Sequence, residues 1–547
     1  MNAVKVVVLV LSLAASNAAC AQDDAQATGV DNIFARLRAD TPGCVVGVAQ
    51  GGKPALIRAY GMADLEHGVP NTAETVFEAG SVSKQFTAAA VALLAQDGKL
   101  ALDDEVRKYI PELPDYGHRL TIRHMLNHTS GLRDWGGVAE IAGWPRTTRA
   151  YDQAQALAIA VRQRKLNFAP GTEFSYSNTG YTLAAIIVER VSGQRFADFT
   201  AERIFAPLGM QNTSWRDDYT RVVKRRAIAY EKKSGSYYTL MPFESTYGHA
   251  ALLTTVGDLL KWSANFDQPQ VGGPKLIADL QTAGKFGDGA AHNYGLGIFV
   301  DQYRGQTWMQ HGGATAGYRT FLSRLPSQQL AVALLCNGAD AIERQTVSRL
   351  NDLFMTGVAP MPAPAAAPAF PIDLKQMAAR DGMYRDTFGR TLTVRALGEG
   401  LELDGTPFRA TDGRSMRSAA GSAIVFGPGG AMNATDKFGR LTVYKQIDPV
   451  DPLPDVAGVR ELSGTYYSAD ADARWMIYSE NGKLLARQWA GKAVELTPSY
   501  RDAFTAQGGL VIFRRDARGR INGLSVVQER VRDMPFVKMA AGSDPAR

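Results

Sequence analysis

Ser81 stands in the run Gly80-Ser81-Val82-Ser83-Lys84, just ahead of an apolar stretch over residues 86–94. That stretch reads as a buried helix, which puts Ser81 in its first turn and Lys84, three residues on, on the same face. A serine hydroxyl becomes a useful nucleophile only when a nearby base takes its proton. A neutral lysine can be that base. Its solution pKa is about 10.4, so work near pH 7 asks burial and neighbouring cations for a depression of roughly three units, or about 4 kcal/mol. The free N–H groups of a helix start can also hold the oxyanion of an attacked carbonyl. S-x-x-K by itself turns up by chance about once in a chain this long, and its place at a helix start is what gives it weight.

Two further runs carry polar groups of the right kind. In Phe174-Ser175-Tyr176-Ser177-Asn178, an extended backbone would aim Tyr176 and Asn178 into one space. A phenol can relay a proton and a primary amide can bind a substrate carbonyl; a turn tyrosine followed by an Asn N-cap explains the same residues. In Gln310-His311-Gly312-Gly313-Ala314, paired glycines end an apolar strand and let another backbone approach. A substrate laid there could meet the Ala314 N–H as an oxyanion donor, while a strand ending in a glycine turn with a surface histidine is the plainer account. His124 and His128 are i, i+4 on an expected helix, but with no third ligand evident they read as packing or capping residues rather than a metal edge. Neither H-E-x-x-H nor G-x-S-x-G occurs, which argues against a zincin and an α/β-hydrolase.

The elements that must position these groups show both periodicities. Strands are expected at 44–50, 54–59, 307–311, 318–324 and 330–336. Helices are expected at 82–97, 120–127, 151–164, 179–191 and 256–264. Two strands, a long helical insertion and three more strands make an α+β fold, with an antiparallel five-stranded sheet flanked by helices. The proline-rich run at 357–371 then breaks the chain, and a shorter break falls at 448–454. The two stretches beyond look like repeats: Gly382-Met383-Tyr384 answers Gly464-Thr465-Tyr466, and Gly439-Arg440-Leu441 answers Gly519-Arg520-Ile521. Each is long enough for a small up-and-down antiparallel β-barrel of the lipocalin-like kind. The expected organisation is a catalytic domain over 28–355, a linker over 356–373, and barrels over 374–447 and 455–541.

Composition narrows the class. The 547 residues carry 60 Lys plus Arg against 54 Asp plus Glu, and a net +6 spread over so long a chain does not argue for nucleic acid. Lys5 precedes about ten apolar residues, too few for a bilayer span of roughly twenty. With Ala19-Cys20-Ala21 as an A-x-A site, residues 1–21 read as a secretory signal peptide. Lipid anchoring at Cys20 is the less favoured alternative, because Asn17 sits where a lipobox normally has leucine. The expected location is periplasmic or secreted, with no transmembrane segment. Cys44 and Cys336 remain, both in expected strands; a disulfide is open to them, but two buried thiols are the preferred reading.

S-x-x-K, Y-x-N and H-x-G each occur once, in that order, on a helix start, a turn before a helix and a strand. Together with Phe77-Glu78-Ala79-Gly80 and Leu126-Asn127-His128-Thr129-Ser130-Gly131-Leu132, the trio resembles the penicillin-recognising serine hydrolases. These comprise class C β-lactamases, DD-carboxypeptidases, related esterases and D-aminopeptidases. The resemblance covers about residues 30 to 355 and implies a β-lactamase/DD-peptidase-like fold. It implies that Ser81 is acylated, that Lys84 and Tyr176 share proton transfer, and that Asn178 holds the substrate amide. The Ser81 and Ala314 N–H groups would form the oxyanion hole, with His311 bordering the pocket and Gly313 beside it. A lytic water would release the acyl group, and no metal or organic cofactor is implied. Many relatives that bind a substrate carboxylate have Lys-Thr-Gly where this chain has His311-Gly312-Gly313; losing a fixed charge and a hydroxyl weakens carboxylate recognition. A domain of this type followed by two barrel-like units is most similar to bacterial D-aminopeptidases, in which a loop of the last barrel reaches the site. The corresponding stretch here is 497–509, where Asp502 would pair with the substrate's ammonium. The expected substrate is a small peptide, amide or ester. The alternatives are an esterase, DD-carboxypeptidase or β-lactamase on the same scaffold, or a non-catalytic penicillin or peptidoglycan sensor. A homodimer is compatible with all of them.

Overall fold

A computed structural model describes residues 24–341, 343–357, 377–398, 400–411, 415–419, 421–435, 441–447, 456–488, 493–506 and 509–540. The expected signal peptide, Cys20, the proline-rich break apart from Gly357, and the break at 448–454 lie outside the described residues. The chain divides into two compact units that interleave along the sequence. One is built from the segments up to Asp97, Ser192–Thr282 and Leu296–Pro360, the other from Gly98–Val191, Ala283–Gly295 and the segment from Met361 onward.

The first unit is organised by an antiparallel sheet of strands β1 (Cys44–Gln50), β2 (Lys53–Tyr60), β3 (Phe299–Tyr303), β4 (Gln306–Thr315), β5 (Tyr318–Leu325) and β6 (Leu330–Cys336), in the order β3-β4-β5-β6-β1-β2. The central strand β6 is Leu-Ala-Val-Ala-Leu-Leu-Cys and is buried throughout, as a continuous apolar run demands when both faces are covered. Val347, Leu350 and Phe354 of the helix Glu343–Phe354 share a core with Val46, Val48, Val332 and Leu334. The helix Val256–Ala264 packs so closely on β1 that a Cβ on Gly47 would lie 3.0 Å from Leu260. The sheet has six strands rather than the expected five. The additional one, β3, reads Phe-Val-Asp-Gln-Tyr and is only half-buried; an edge strand with one neighbour is held by its ladder to β4 rather than by apolar alternation.

A second expectation is corrected in this sheet. Cys44 and Cys336 stand directly opposite in the β1–β6 register, with Cα atoms 4.0 Å apart, and they form a disulfide. Directly opposed residues on paired strands bring their Cβ atoms within bonding range. A separation of 292 residues in sequence conceals that neighbourhood completely.

In the second unit the expected repeats become a closed eight-stranded antiparallel barrel, from Gly382–Asp386 to Leu441–Ile447, and a nine-stranded antiparallel sheet over residues 464–538. The edge strands of that sheet, Ala493–Glu495 and Thr497–Tyr500, are consecutive in the chain, so it curls nearly shut. Its interior is not self-sufficient. Trp475, Ile477, Phe504, Phe513 and Phe536 form one core with Trp135, Val138, Ile141, Tyr151 and Ile159 of the helical segment, and Trp475 Nε1 donates to the Ile141 carbonyl at 2.8 Å. Among the described residues no helix is long and apolar enough to cross a membrane.

Candidate active site

Ser81 lies in a single tight turn, Gly80–Val82, that runs straight into the helix Ser83–Gln96. Phe86, Val91, Leu93 and Leu94 of that helix are buried, which carries Lys84 inward with them. The Lys84 side chain is fully buried; its Nζ donates to Ser81 Oγ at 3.2 Å and to the His249 carbonyl at 2.7 Å. The amine is thus fixed one turn from the hydroxyl, within proton-passing reach. Sequence gave no sign of His249.

Strand β4 is pressed against this turn. Gly80 has φ +50°, and a Cβ there would sit 2.8 Å from the Ala314 nitrogen. A Cβ on Gly313 would collide with the Ala79 carbonyl oxygen and with Thr320 Oγ1. Thr320 Oγ1 itself donates to that carbonyl at 2.8 Å. The close approach expected at the paired glycines is therefore real, but the backbone admitted at Gly313 is the one leading to the nucleophile. Gly312 meets only ordinary contacts, at 3.4 Å from Phe321. Gly313→Ala is accordingly expected to displace the Ser81 turn and cut kcat at least a hundredfold, whereas Gly312→Ala stays within about threefold of wild type in the same steady-state assay.

His311 is buried rather than on the surface. Its Nδ1 lies 2.6 Å from the Gly312 carbonyl, which can only accept, so Nδ1 carries the proton. Burial, reinforced by the charge of Lys84, pushes the imidazole pKa down to about 3. The ring therefore stays neutral from alkaline pH down into the acid range. The unfolded chain binds a proton near pH 6.5 that the folded one refuses until about 3, so this residue's contribution to stability is complete above 6.5 and declines as pH falls. His311→Gln should flatten that acid loss in a series of urea melts between pH 7 and 4.

Just ahead of the nucleophile, Glu78 is fully buried and paired with Arg216, whose Nε donates to Glu78 Oε2 at 2.7 Å. This pair fixes the strand that delivers residues 79–81, and nothing in the local sequence announces it.

Tyr176 and Asn178 belong to the second unit. Asn178 opens the helix Asn178–Ser192, and its backbone N–H donates to Asp134 Oδ2 at 2.7 Å. The other oxygen of Asp134 caps its own helix, Trp135–Ile141, by accepting from Gly136 and Gly137. The Thr179 hydroxyl donates to the Arg133 carbonyl and accepts from the Trp135 N–H, each at 2.8 Å. The Tyr176 ring lies 4.1 Å from that of His128 and 4.9 Å from the Arg530 guanidinium. His128 Nδ1 accepts from the Ser177 N–H, and Thr121 and His124 form a reciprocal capping box, so both histidines act in packing and capping.

Arg530 comes from the second barrel. Its carbonyl accepts from the Asp134 N–H at 3.1 Å and from Asn167 Nδ2 at 3.0 Å, and Val531 fills the space left by the missing side chain of Gly137. The barrel segment beside Tyr176 is the one that carries Arg530. Asp502 turns the chain between Thr497–Tyr500 and Ala503–Ala506, with its carboxylate accepting from Arg515 at 2.8 and 2.9 Å. Arg515 also bonds Glu461. In this structure the Asp502 carboxylate is paired with Arg515 inside the barrel.

The sequence pattern of the Beta-lactamase family matches residues 30–353. The chain is 26% identical over 510 residues to a D-aminopeptidase of Brucella anthropi, covering 89% of this chain and 93% of that protein. It is 27% identical to a D-aminopeptidase of Brucella ovis over the same shares of each chain. Among solved structures, an octameric penicillin-binding protein homologue from Pyrococcus abyssi superposes with a TM-score of 0.54 at 20% identity, covering 77% of this chain and 99% of that one. A D-amino acid amidase from Ochrobactrum anthropi superposes with a TM-score of 0.52 at 23% identity, covering 61% and 98% respectively.

Proposed function

The chain belongs to the Beta-lactamase family over residues 30–353, and from that premise we propose that it is a serine hydrolase that releases N-terminal D-amino acids, D-alanine foremost, from peptides, amides or esters. The observation that carries this reading is the buried Lys84 amine donating to Ser81 Oγ at 3.2 Å. Ser81 Oγ attacks the scissile carbonyl as its proton passes to Lys84, and the nascent oxyanion is held by the Ser81 and Ala314 N–H groups. Tyr176 passes a proton to the leaving amine and Asn178 binds a substrate amide, the roles their motif carries in the family. Water then hydrolyses the acyl-enzyme.

The substrate class rests on two supports. The curated relatives that span nearly the whole chain, barrels included, are D-aminopeptidases. His311 is neutral where a carboxylate-binding site wants a fixed cation, which disfavours carboxypeptidase and β-lactamase substrates. Residues 1–21, with their signal-like layout, support export to the periplasm or medium.

The test is a substrate panel on purified protein: D-alanine p-nitroanilide, its L-isomer, a short-chain p-nitrophenyl ester, nitrocefin and an acyl-D-Ala-D-Ala peptide. Turnover of the first with strong preference over the second supports the reading. Turnover of the ester alone makes the protein an esterase, and stoichiometric labelling without turnover makes it a sensor.

A further inference from the structure

Two cavities of the second unit share walls. The larger is an open cleft of about 530 Å3, bordered by Asp134, Glu140, Arg146, Asn178, Glu529 and Arg530. The smaller, about 100 Å3, is sunk into the end of the second barrel and walled by Ile141, Trp475, Ala486, Leu510, Val511 and Val526. Glu140, Pro145 and Gln528 line both, so the cleft bordered by Asn178 adjoins the barrel chamber. The chamber exists because the barrel is filled unevenly. Phe504, Phe513 and Phe536 crowd its core, while the small residues Ala486, Val494 and Ala506 are among those that border the chamber. Its walls combine apolar side chains with the polar groups of Glu140, Gln488 and Gln528, and the adjoining cleft is lined with charge. That is the layout of a site taking a polar backbone with an apolar group at its far end.

We propose that this cleft binds the peptide leaving group beyond the scissile amide and seats one of its aliphatic side chains in the barrel chamber. The proposal rests on the reading of the chain as a D-residue-releasing hydrolase with Asn178 on a substrate amide. An enzyme that removes a single N-terminal residue has all its remaining substrate amides in the leaving group, and the cleft bordered by Asn178 adjoins the barrel chamber. An apolar cavity of roughly 150 Å3 accepts benzene, so a chamber of about 100 Å3 suits a branched aliphatic side chain such as leucine. Glu140, Arg146, Glu529 and Arg530 offer partners of both signs to the peptide groups on the way. The second barrel is then a specificity module, and the enzyme discriminates among peptides by residues well downstream of the one it releases.

The experiment compares kcat/KM for D-alanyl tetrapeptides carrying leucine or serine at the second, third or fourth position, with D-alanine p-nitroanilide as a substrate that lacks a peptide leaving group. Leucine is expected to exceed serine about tenfold or more at one position, the size expected from burying an aliphatic side chain. Ala486→Phe, which fills the chamber, should erase that preference and leave the p-nitroanilide rate unchanged. Equal rates for leucine and serine at all three positions overturn the proposal, as does a preference that survives Ala486→Phe. Should that variant fail to fold, the wild-type protein still decides. Titration with the leucine-containing product peptide should change tryptophan emission in a way that Trp475→Phe removes, and an emission change that persists in Trp475→Phe counts against the chamber. Absence of p-nitroanilide turnover in wild type is a failure of the functional reading instead, and the Trp475 signal then judges the cleft alone.

Discussion

Ser81→Ala lowers kcat for D-alanine p-nitroanilide by roughly four to six orders of magnitude, the size seen when a serine hydrolase loses its nucleophile. The fold is expected to be indifferent. Ser81 is only half-buried, its hydroxyl is not what closes the turn, and Lys84 keeps the His249 carbonyl as a partner at 2.7 Å. Deleting one hydroxyl therefore leaves no cavity and no orphaned buried charge, so the melting temperature should hold within about two degrees, inside the range of a surface substitution. The measurement that isolates the role is intact-protein mass spectrometry after treatment with an activated acylating ester. Wild type gains one acyl group on the peptide containing Ser81, and the variant gains none. A variant that is still acylated at another serine and still turns over would show that the nucleophile lies elsewhere. Lys84→Ala should match it within about tenfold, because nucleophile and base act as one unit and their losses do not add.

What could be read beforehand follows the range over which each feature is encoded. Ser81 and Lys84 are three residues apart, and helical geometry converts that spacing into a shared face, so the pair was legible in one dimension. The strands of β1 and β6 were equally plain, each a short apolar run bounded by turn residues. Features fixed by partners far along the chain were not. Cys44 meets Cys336 only through strand register, and His311 looks like a surface residue until β3 and the helix bearing Lys84 are in place around it. β3 has too little apolar alternation to announce itself and takes its shape from β4. The Asp502–Arg515 pair was hidden for a related reason. An isolated acidic residue in a turn looks available, but Arg515 lies 13 positions away on a neighbouring strand and accounts for its charge. The barrels themselves were visible as repeated turn-and-strand segments, whereas the bond between the second barrel and the segment carrying Tyr176 and Asn178 is made of contacts between residues more than 300 positions apart.

Asp470→Ala should cost the second unit roughly 3–5 kcal/mol, the range for stripping one partner from a buried ion pair. Asp470 Oδ2 accepts from Arg133 Nη1 at 2.9 Å, and both side chains are almost wholly excluded from solvent. Arg133 also donates to Gln163 and to the Asp533 carbonyl, but neither partner is an anion, so the variant leaves a guanidinium buried without its counter-charge. The effect should reach the active site by a short route. The Arg133 carbonyl accepts from Thr179, and the adjacent Asp134 holds the Asn178 N–H, so the start of the helix that presents Asn178 hangs on the same two residues. Asp470→Ala is therefore expected to raise KM for D-alanine p-nitroanilide severalfold in the fraction that remains folded, while kcat changes less, since Ser81 and Lys84 belong to the other unit. Replacing both members, Arg133→Met with Asp470→Leu, removes the uncompensated charge and should recover at least half of the lost stability in urea melts. If the double variant is no more stable than Asp470→Ala alone, the pair matters through the hydrogen bonds of Arg133 to Gln163 and Asp533 rather than through its charge. The barrel would then be docked by shape and backbone contacts, chiefly the shared core of Trp135, Ile141 and Trp475.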